Sequence, residues 1–147
     1  MNYSIRQYKK SDLEAILKLI EELAIFEKAP EKVTNSVKQM EQEMEYFECF
    51  VAESDQGQIV GMALFYTVYY TWVGKSMYLD DLIVTKQWRG NGIGRNLLDK
   101  VIEKAKNSNC KRLRWQVLDW NEAAIKMYNN YGCKLDEEWL NCDLSFI

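Results

Sequence analysis

Apolar residues recur along the chain in two periods, and each switch between them marks a boundary between elements. Asn2 to Tyr8 alternates apolar and polar and predicts a first strand. Leu13, Ile16, Leu17, Ile20, Leu23 and Ala24 then mark one face of a helix to about residue 25, with Ser11 and Glu14 spaced as a capping box at its start. Pro30 breaks the chain. Val37, Met40 and Met44 predict a second, more polar helix from about Thr34 to Met44. Strands are expected over Cys49 to Glu53, Ile59 to about Tyr70, and residues 76–84, with turns at Asp55-Gln56-Gly57-Gln58 and Val73-Gly74-Lys75. Leu97, Leu98, Val101, Ile102 and Ala105 give one apolar face to a helix from Arg95 to Lys106. Arg112 to Leu118 predicts another strand. Asn121 caps a helix through about Tyr131, with Ala124, Ile125 and Tyr128 at inner spacing and Gly132 placed to end it. Closing strands are expected over Lys134 to Trp139 and Cys142 to Phe146. This order, βααβββαβαββ, predicts an α+β fold with a mixed sheet and helices on both faces, formed as one domain over residues 1–147.

The chemistry concentrates around Arg89-Gly90-Asn91-Gly92-Ile93-Gly94. An apolar strand with two carboxylates, Asp80 and Asp81, precedes it, and an amphipathic helix follows. Glycines at alternate positions let the backbone turn sharply and let a ligand approach without meeting a Cβ. The loop empties into a helix N-terminus, where unpaired N–H groups and the positive dipole end favour a phosphate or pyrophosphate. No Lys-Ser or Lys-Thr follows the last glycine, so the loop is not a P-loop, and its spacing is not that of the dinucleotide fingerprint.

Composition narrows the reaction classes. There is no histidine among the 147 residues, which removes Ser-His and Cys-His nucleophiles and the usual metal sites, so no metal is expected. Four cysteines occur without a C-x-x-C pair and read as reduced, mostly buried thiols. The net charge of −3 and the lack of a basic stripe argue against nucleic acid and mildly favour a cationic small substrate. No apolar run approaches the ~18 residues of a membrane span, and the first residues have no signal core, so a cytoplasmic chain without membrane association is expected.

Those residues carry a resemblance. The glycine loop resembles the acyl-CoA motif of the GNAT superfamily of N-acetyltransferases, and the order of elements follows that fold along nearly the whole chain. Within the superfamily the chain is similar to the diamine (spermidine/spermine) N-acetyltransferases and their thialysine-acetylating relatives. The similarity runs through Leu23-Ala24-Ile25-Phe26-Glu27, Tyr78-Leu79-Asp80-Asp81-Leu82-Ile83-Val84, the glycine loop, and Trp120-Asn121-Glu122-Ala123-Ala124-Ile125-Lys126-Met127-Tyr128 with Tyr131-Gly132.

The resemblance implies acetyl-CoA as co-substrate, a small primary amine as acceptor and a homodimer, with Leu144, Phe146 and Ile147 as compatible apolar residues. By position, Leu82, Ile83 and Val84 match the strand that pairs with the pantetheine arm. Arg89, Gly90, Asn91, Gly92, Ile93, Gly94 and Arg95 match the pyrophosphate loop, and Asn121 a side chain that contacts CoA. Tyr128 matches the general acid for the thiolate, Asp80 a residue that relays the amine proton through water. Asp81 and Glu27 match acids at the amine end, and Glu137 or Glu138 stands in for the family's acidic pair near the C-terminus; apart from the resemblance, Trp72 is a candidate wall of the substrate pocket. Three departures stand out: Tyr70-Thr71 replaces an Asp-Pro of the polyamine enzymes, Asp80 is one methylene shorter than the family's Glu, and the C-terminal stretch is shorter.

The reaction makes demands of its own. An alkylamine of pKa ~10.4 must lose its proton before or during attack, and a thiolate of pKa roughly 8.5 leaves more easily when a phenol meets it. N–H donors near Leu82 to Val84 would meet the oxyanion. Carboxylates also hold a proton on a bound amine, so most of them bind charge and one accepts the proton. Adjacent residues of a regular strand face opposite sides. Asp80 and Asp81 therefore serve one site only if a bulge re-aims one of them. Acetylation of a protein lysine or N-terminus or of an aminosugar, and a non-catalytic CoA-binding sensor, are the alternatives.

Overall fold

The computed structural model describes residues 1–146. Its contacts divide the chain into two compact units, Met1–Gln116 and the residues from Val117 on.

The first unit is built on a five-stranded sheet in the order β1-β2-β3-β4-β5. The strands are β1 (Tyr3–Gln7), β2 (Glu48–Ser54), β3 (Ile59–Tyr70), β4 (Gly74–Val84) and β5 (Leu113–Arg114), and the helices are α1 (Leu13–Phe26), α2 (Val37–Gln42) and α3 (Ile93–Asn107). Neighbours β1 to β4 run antiparallel, while β5 lies parallel to β4. β3 is buried on both faces along most of its first half, so it reads as a continuous apolar run. On one face Met62 and Leu64 pack with Val51 and Ile83 under Leu13, Ile16 and Leu19 of α1 and Met40 of α2. On the other, α3 seats Ile93, Leu97, Leu98 and Val101, each fully buried and contributing roughly 1.5–3 kcal/mol. Gly61 of β3 allows that approach: a Cβ there would stand 3.1 Å from the Ile83 carbonyl and 3.3 Å from Leu97.

Several boundaries differ from those the sequence predicts. The Ser11–Glu14 capping box does not form. Instead the buried Asp12 carboxylate accepts from the Lys9 amide at 2.7 Å and from Arg6 at 2.7 and 3.1 Å, while Arg6 also donates to Glu53 at 2.8 Å. The arginine comes from β1, and its hydrogen bonds hold the Asp12 carboxyl below the usual carboxylate range. α2 is shorter than the expected Thr34–Met44, because Ser36 is its true cap, accepting from the Gln39 amide at 3.1 Å. Among the described residues β5 holds to the sheet only at Met77↔Leu113 and Tyr78↔Arg114, so the expected strand to Leu118 ends early and β4 has no strand beside it past Tyr78 on that side.

The second unit contains α4 (Glu122–Asn129), capped by Asn121, whose side chain accepts from the Ala124 amide at 3.3 Å. Gly132 takes φ +73, a left-handed conformation suited to ending a helix. The expected strands at Lys134 to Trp139 and Cys142 to Phe146 are absent. Asp136 instead caps a local turn, accepting from the Glu138 amide and the Trp139 indole at 3.0 and 2.7 Å. Alternation marks a face for a strand, and without a neighbouring strand to bond it a lone strand does not persist. Leu135, Trp139, Leu140, Leu144 and Phe146 are left exposed. The apolar Ile147 lies outside the described residues.

Candidate active site

β4 carries a bulge at its acidic pair. Leu79 pairs with Phe65 and Asp81 with Leu64, so Asp80 is an extra residue with no partner on β3. Directly paired residues share a face. Tyr78, opposite Tyr66, and Asp81, opposite Leu64, point to the α1 face, as does Ile83 opposite Met62. Alternation from Tyr78 puts Asp80 on that same face. Two consecutive carboxylates therefore stand side by side, which an unbroken strand forbids.

Glu27, the C-cap of α1, lies close enough to act on both acids through its charge. Burial is the main cause that raises the Asp81 carboxyl to about 7, with the charges of Asp80 and Glu27 adding to it. Glu27 and Asp80 are raised too, both chiefly by withdrawal from water, Glu27 also by Asp80. Glu27 further sits at the negative end of the α1 dipole. Asp81 alone reaches the neutral range, at about 7, and holds a proton below it. The three acids form a place that gains when a cation arrives. Among the described residues no three potential metal ligands converge.

Tyr66 and Tyr78 stack beside these acids, with ring centroids 5.7 Å apart. Burial and then Asp80 push the Tyr66 phenol up to about 12 and raise that of Tyr78. Sequence reasoning missed this pair. Its signal is the strand register, which no single-strand pattern reveals.

The glycine loop begins where β4 ends. Gly90 and Gly92 adopt φ +82 and +77, and a Cβ on either would meet nothing within 4 Å. Gly92 caps α3. The first paired amide of that helix is Asn96, on the Gly92 carbonyl at 3.0 Å. The amides of Ile93, Gly94 and Arg95 precede it and have no helical carbonyl to bond. The Ile93 side chain is buried, so only its backbone is available to a ligand. The Asn91 amide group donates to the Trp88 carbonyl at 3.0 Å and shapes the loop from inside. Arg89 is likewise engaged: its Nε donates to the Val84 carbonyl at 2.8 Å, its guanidinium lies 5.7 Å from the Phe26 ring centre, and Glu22 stands 3.6 Å away. Open glycines, unbonded amides and a dipole end together fit a pyrophosphate. The free edge of β4 over Leu82, Ile83 and Val84 leads to them and offers backbone groups to an extended chain.

The other expected site residues fall elsewhere. Trp72 is 87% exposed in the turn between β3 and β4. From Gly74 to Asp80 the strand runs roughly 20 Å, so Trp72 does not join the acids. Asn121, Tyr128 and Glu138 belong to the second unit, where Tyr128 is buried in the last turn of α4 and Glu138 is exposed beside Asp136.

Residues 13–133 match the acetyltransferase (GNAT) family. The chain is 38% identical to the thialysine N-epsilon-acetyltransferase of Mus musculus, over 93% of this chain and 89% of that protein. It is 31% identical to the spermidine/spermine N(1)-acetyltransferase-like protein 1 of Homo sapiens, over 88% of this chain and 20% of that protein. Among solved structures, an aminoglycoside acetyltransferase from an uncultured soil metagenomic sample superposes with a TM-score of 0.79 at 18% identity, covering 99% of this chain and 97% of that one. A glycine loop opening α3 beside a β4 edge that, among the described residues, has no strand partner past Tyr78 is thus found in a chain that belongs to the GNAT family of acetyltransferases.

Proposed function

We propose that the chain transfers the acetyl group of acetyl-CoA to a primary amine of a small cationic substrate, a diamine, polyamine or lysine-like amino acid, by direct attack within a ternary complex. The observation that carries this reading is the bulge that sets Asp80 beside Asp81 and near Glu27 on one face. In this reading residues 1–147 work as a single catalytic domain, and the family match over residues 13–133 supports it.

Acetyl-CoA supplies an activated thioester carbonyl. The amides of Gly90 to Arg95 bind its pyrophosphate, and the free β4 edge at Leu82, Ile83 and Val84 pairs with the pantetheine arm and donates to the developing oxyanion. Glu27 and Asp81 bind the amine's charge, and Asp80 accepts its proton through water. A carboxyl raised toward neutrality suits proton transfer better than one near 4. Tyr128 gives a proton to the departing thiolate, and Asn121 contacts CoA. The free thiols fit a reducing cytoplasm, and the exposed apolar residues Leu140, Leu144 and Phe146 fit a homodimer.

The test is a turnover screen with free-thiol detection over putrescine, spermidine, spermine, lysine and thialysine, beside a lysine peptide and glucosamine. Turnover of the small cationic amines is expected. Activity confined to the peptide or the sugar would replace the substrate class. Tight acetyl-CoA binding with no turnover at all would make the chain a sensor.

A further inference from the structure

The face that carries Asp80 and Asp81 continues toward the β3–β4 turn. Tyr66 and Tyr78 stand beside the acids, and Tyr70 lies further along β3 on the same face. Two arginines close this row from the β5 side. The guanidinium carbons of Arg112 and Arg114 lie 5.3 and 4.7 Å from the Tyr70 ring centre. Among the described residues neither forms an ion pair with a carboxylate. Arg112 is half-buried and Arg114 exposed. A guanidinium held by a ring face keeps its in-plane N–H donors free, and that fork matches a carboxylate.

The spacing matters. Arg114 pairs with Tyr78, two residues before Asp80, so the levels of the acids and of the arginine are roughly 7 Å apart along the strand. An extended lysine-type chain spans a similar distance, on the order of 7 Å, from its terminal nitrogen to its carboxylate. Charge along the face therefore runs from acids, past aromatic rings, to two cations. A diamine or polyamine carries positive charge at both ends, and its far end would meet like charge. An ω-amino acid carries opposite charges and fits both ends.

We propose that Arg112 and Arg114, stacked on Tyr70, form a carboxylate subsite that selects ω-amino acids over diamines. This deepens the reading above and rests on it.

The test uses the full chain. kcat/KM is measured for lysine and thialysine and for cadaverine, which is lysine without its carboxylate, in the wild type and in R112M, R114M and R114K. Methionine keeps an unbranched stem against Tyr70 and removes the charge. The wild type is expected to prefer the amino acids. The amino-acid to cadaverine ratio is expected to fall at least ~10-fold in R114M, through KM of the amino acid, with R114K in between. A cadaverine-preferring wild type, or a ratio unmoved in both methionine variants, overturns the subsite while persistent turnover leaves the acetyltransferase reading standing. An equal loss on all substrates also overturns it, since that marks a structural role. If the wild type acetylates none of these amines, the functional reading falls, and the subsite with it.

Discussion

Glu22 on α1 holds Arg89 at the entrance of the glycine loop, 3.6 Å from its guanidinium. The same carboxylate accepts from the Thr85 hydroxyl at 3.0 Å and from the Lys86 amide at 3.1 Å. One side chain thus ties the helix that ends in Glu27 to the segment that leads from β4 into the loop. Removing it in Glu22→Ala costs about 1–2 kcal/mol of loop order, since these contacts are half-exposed. That corresponds to roughly 5- to 30-fold in affinity. The expected outcome is a rise of that size in KM for acetyl-CoA with a smaller fall in kcat, and partial rescue by Glu22→Gln, which keeps an acceptor for the Lys86 amide. Equal KM values in wild type and Glu22→Ala would remove the positioning role.

Much of the first unit is legible from residue spacing, and the failures have physical causes. The faces of α1 and α3 follow from their periodic apolar residues because burial is a property of one helix face. The two acids in an apolar strand call for a bulge, and one is present at Asp80. Ser11 is not a cap, because Asp12 is claimed by Arg6, which reaches it only once β1 is in place. The expected closing strands fail because alternation at Lys134 to Trp139 says nothing about who supplies the neighbouring edge. Tyr66 with Tyr78, and Tyr70 with Arg112 and Arg114, are cross-strand relations. They exist only in the register, and the bulge itself shifts that register by one.

The raised Asp81 carboxyl should appear in stability. Its folded value of about 7 exceeds its unfolded value of 3.8, so the native state binds more protons between those pH values. Stability contributed by this group is full at low pH and is lost as pH rises from about 4 to 7. Asp81→Asn removes the cost of ionisation and is expected to stabilise the protein by on the order of 2 kcal/mol at pH 8, several degrees in Tm. The gain should shrink as pH falls through that window. Thermal melts of both proteins from pH 4 to 8 check it, and a gain independent of pH would mean the carboxyl titrates normally.

Lys28, just past the Glu27 cap of α1, takes φ +62, a left-handed conformation unusual for a lysine. The Ala29 amide bonds back to the Ala24 carbonyl at 2.9 Å, so the helix closes in the way that favours glycine at this position. α3 closes similarly through Asn109 at φ +59, a residue type that tolerates the conformation better. Relieving the strain, less the extra chain entropy of glycine, leaves Lys28→Gly more stable by about 0.5–1 kcal/mol. Tm should rise by about 1–4 °C. A lower Tm would show that the lysine side chain contributes more than its backbone costs.

Tyr128→Phe tests the proposed proton donor while keeping the aromatic ring. The ring remains to fill its buried position in the last turn of α4. A thiolate leaves with less help than a stronger base would, which puts the expected loss near the low end for general acids, about 10²-fold in kcat. Acetyl-CoA affinity should stay within a few-fold, because the phenol acts on the leaving sulfur after binding. The pH profile gives a second reading. If the phenol is the donor, the wild type should lose kcat at high pH and the variant should not, since the remaining route uses water. An unchanged kcat, or a loss confined to KM, would assign Tyr128 to packing and send the search for the donor to another residue.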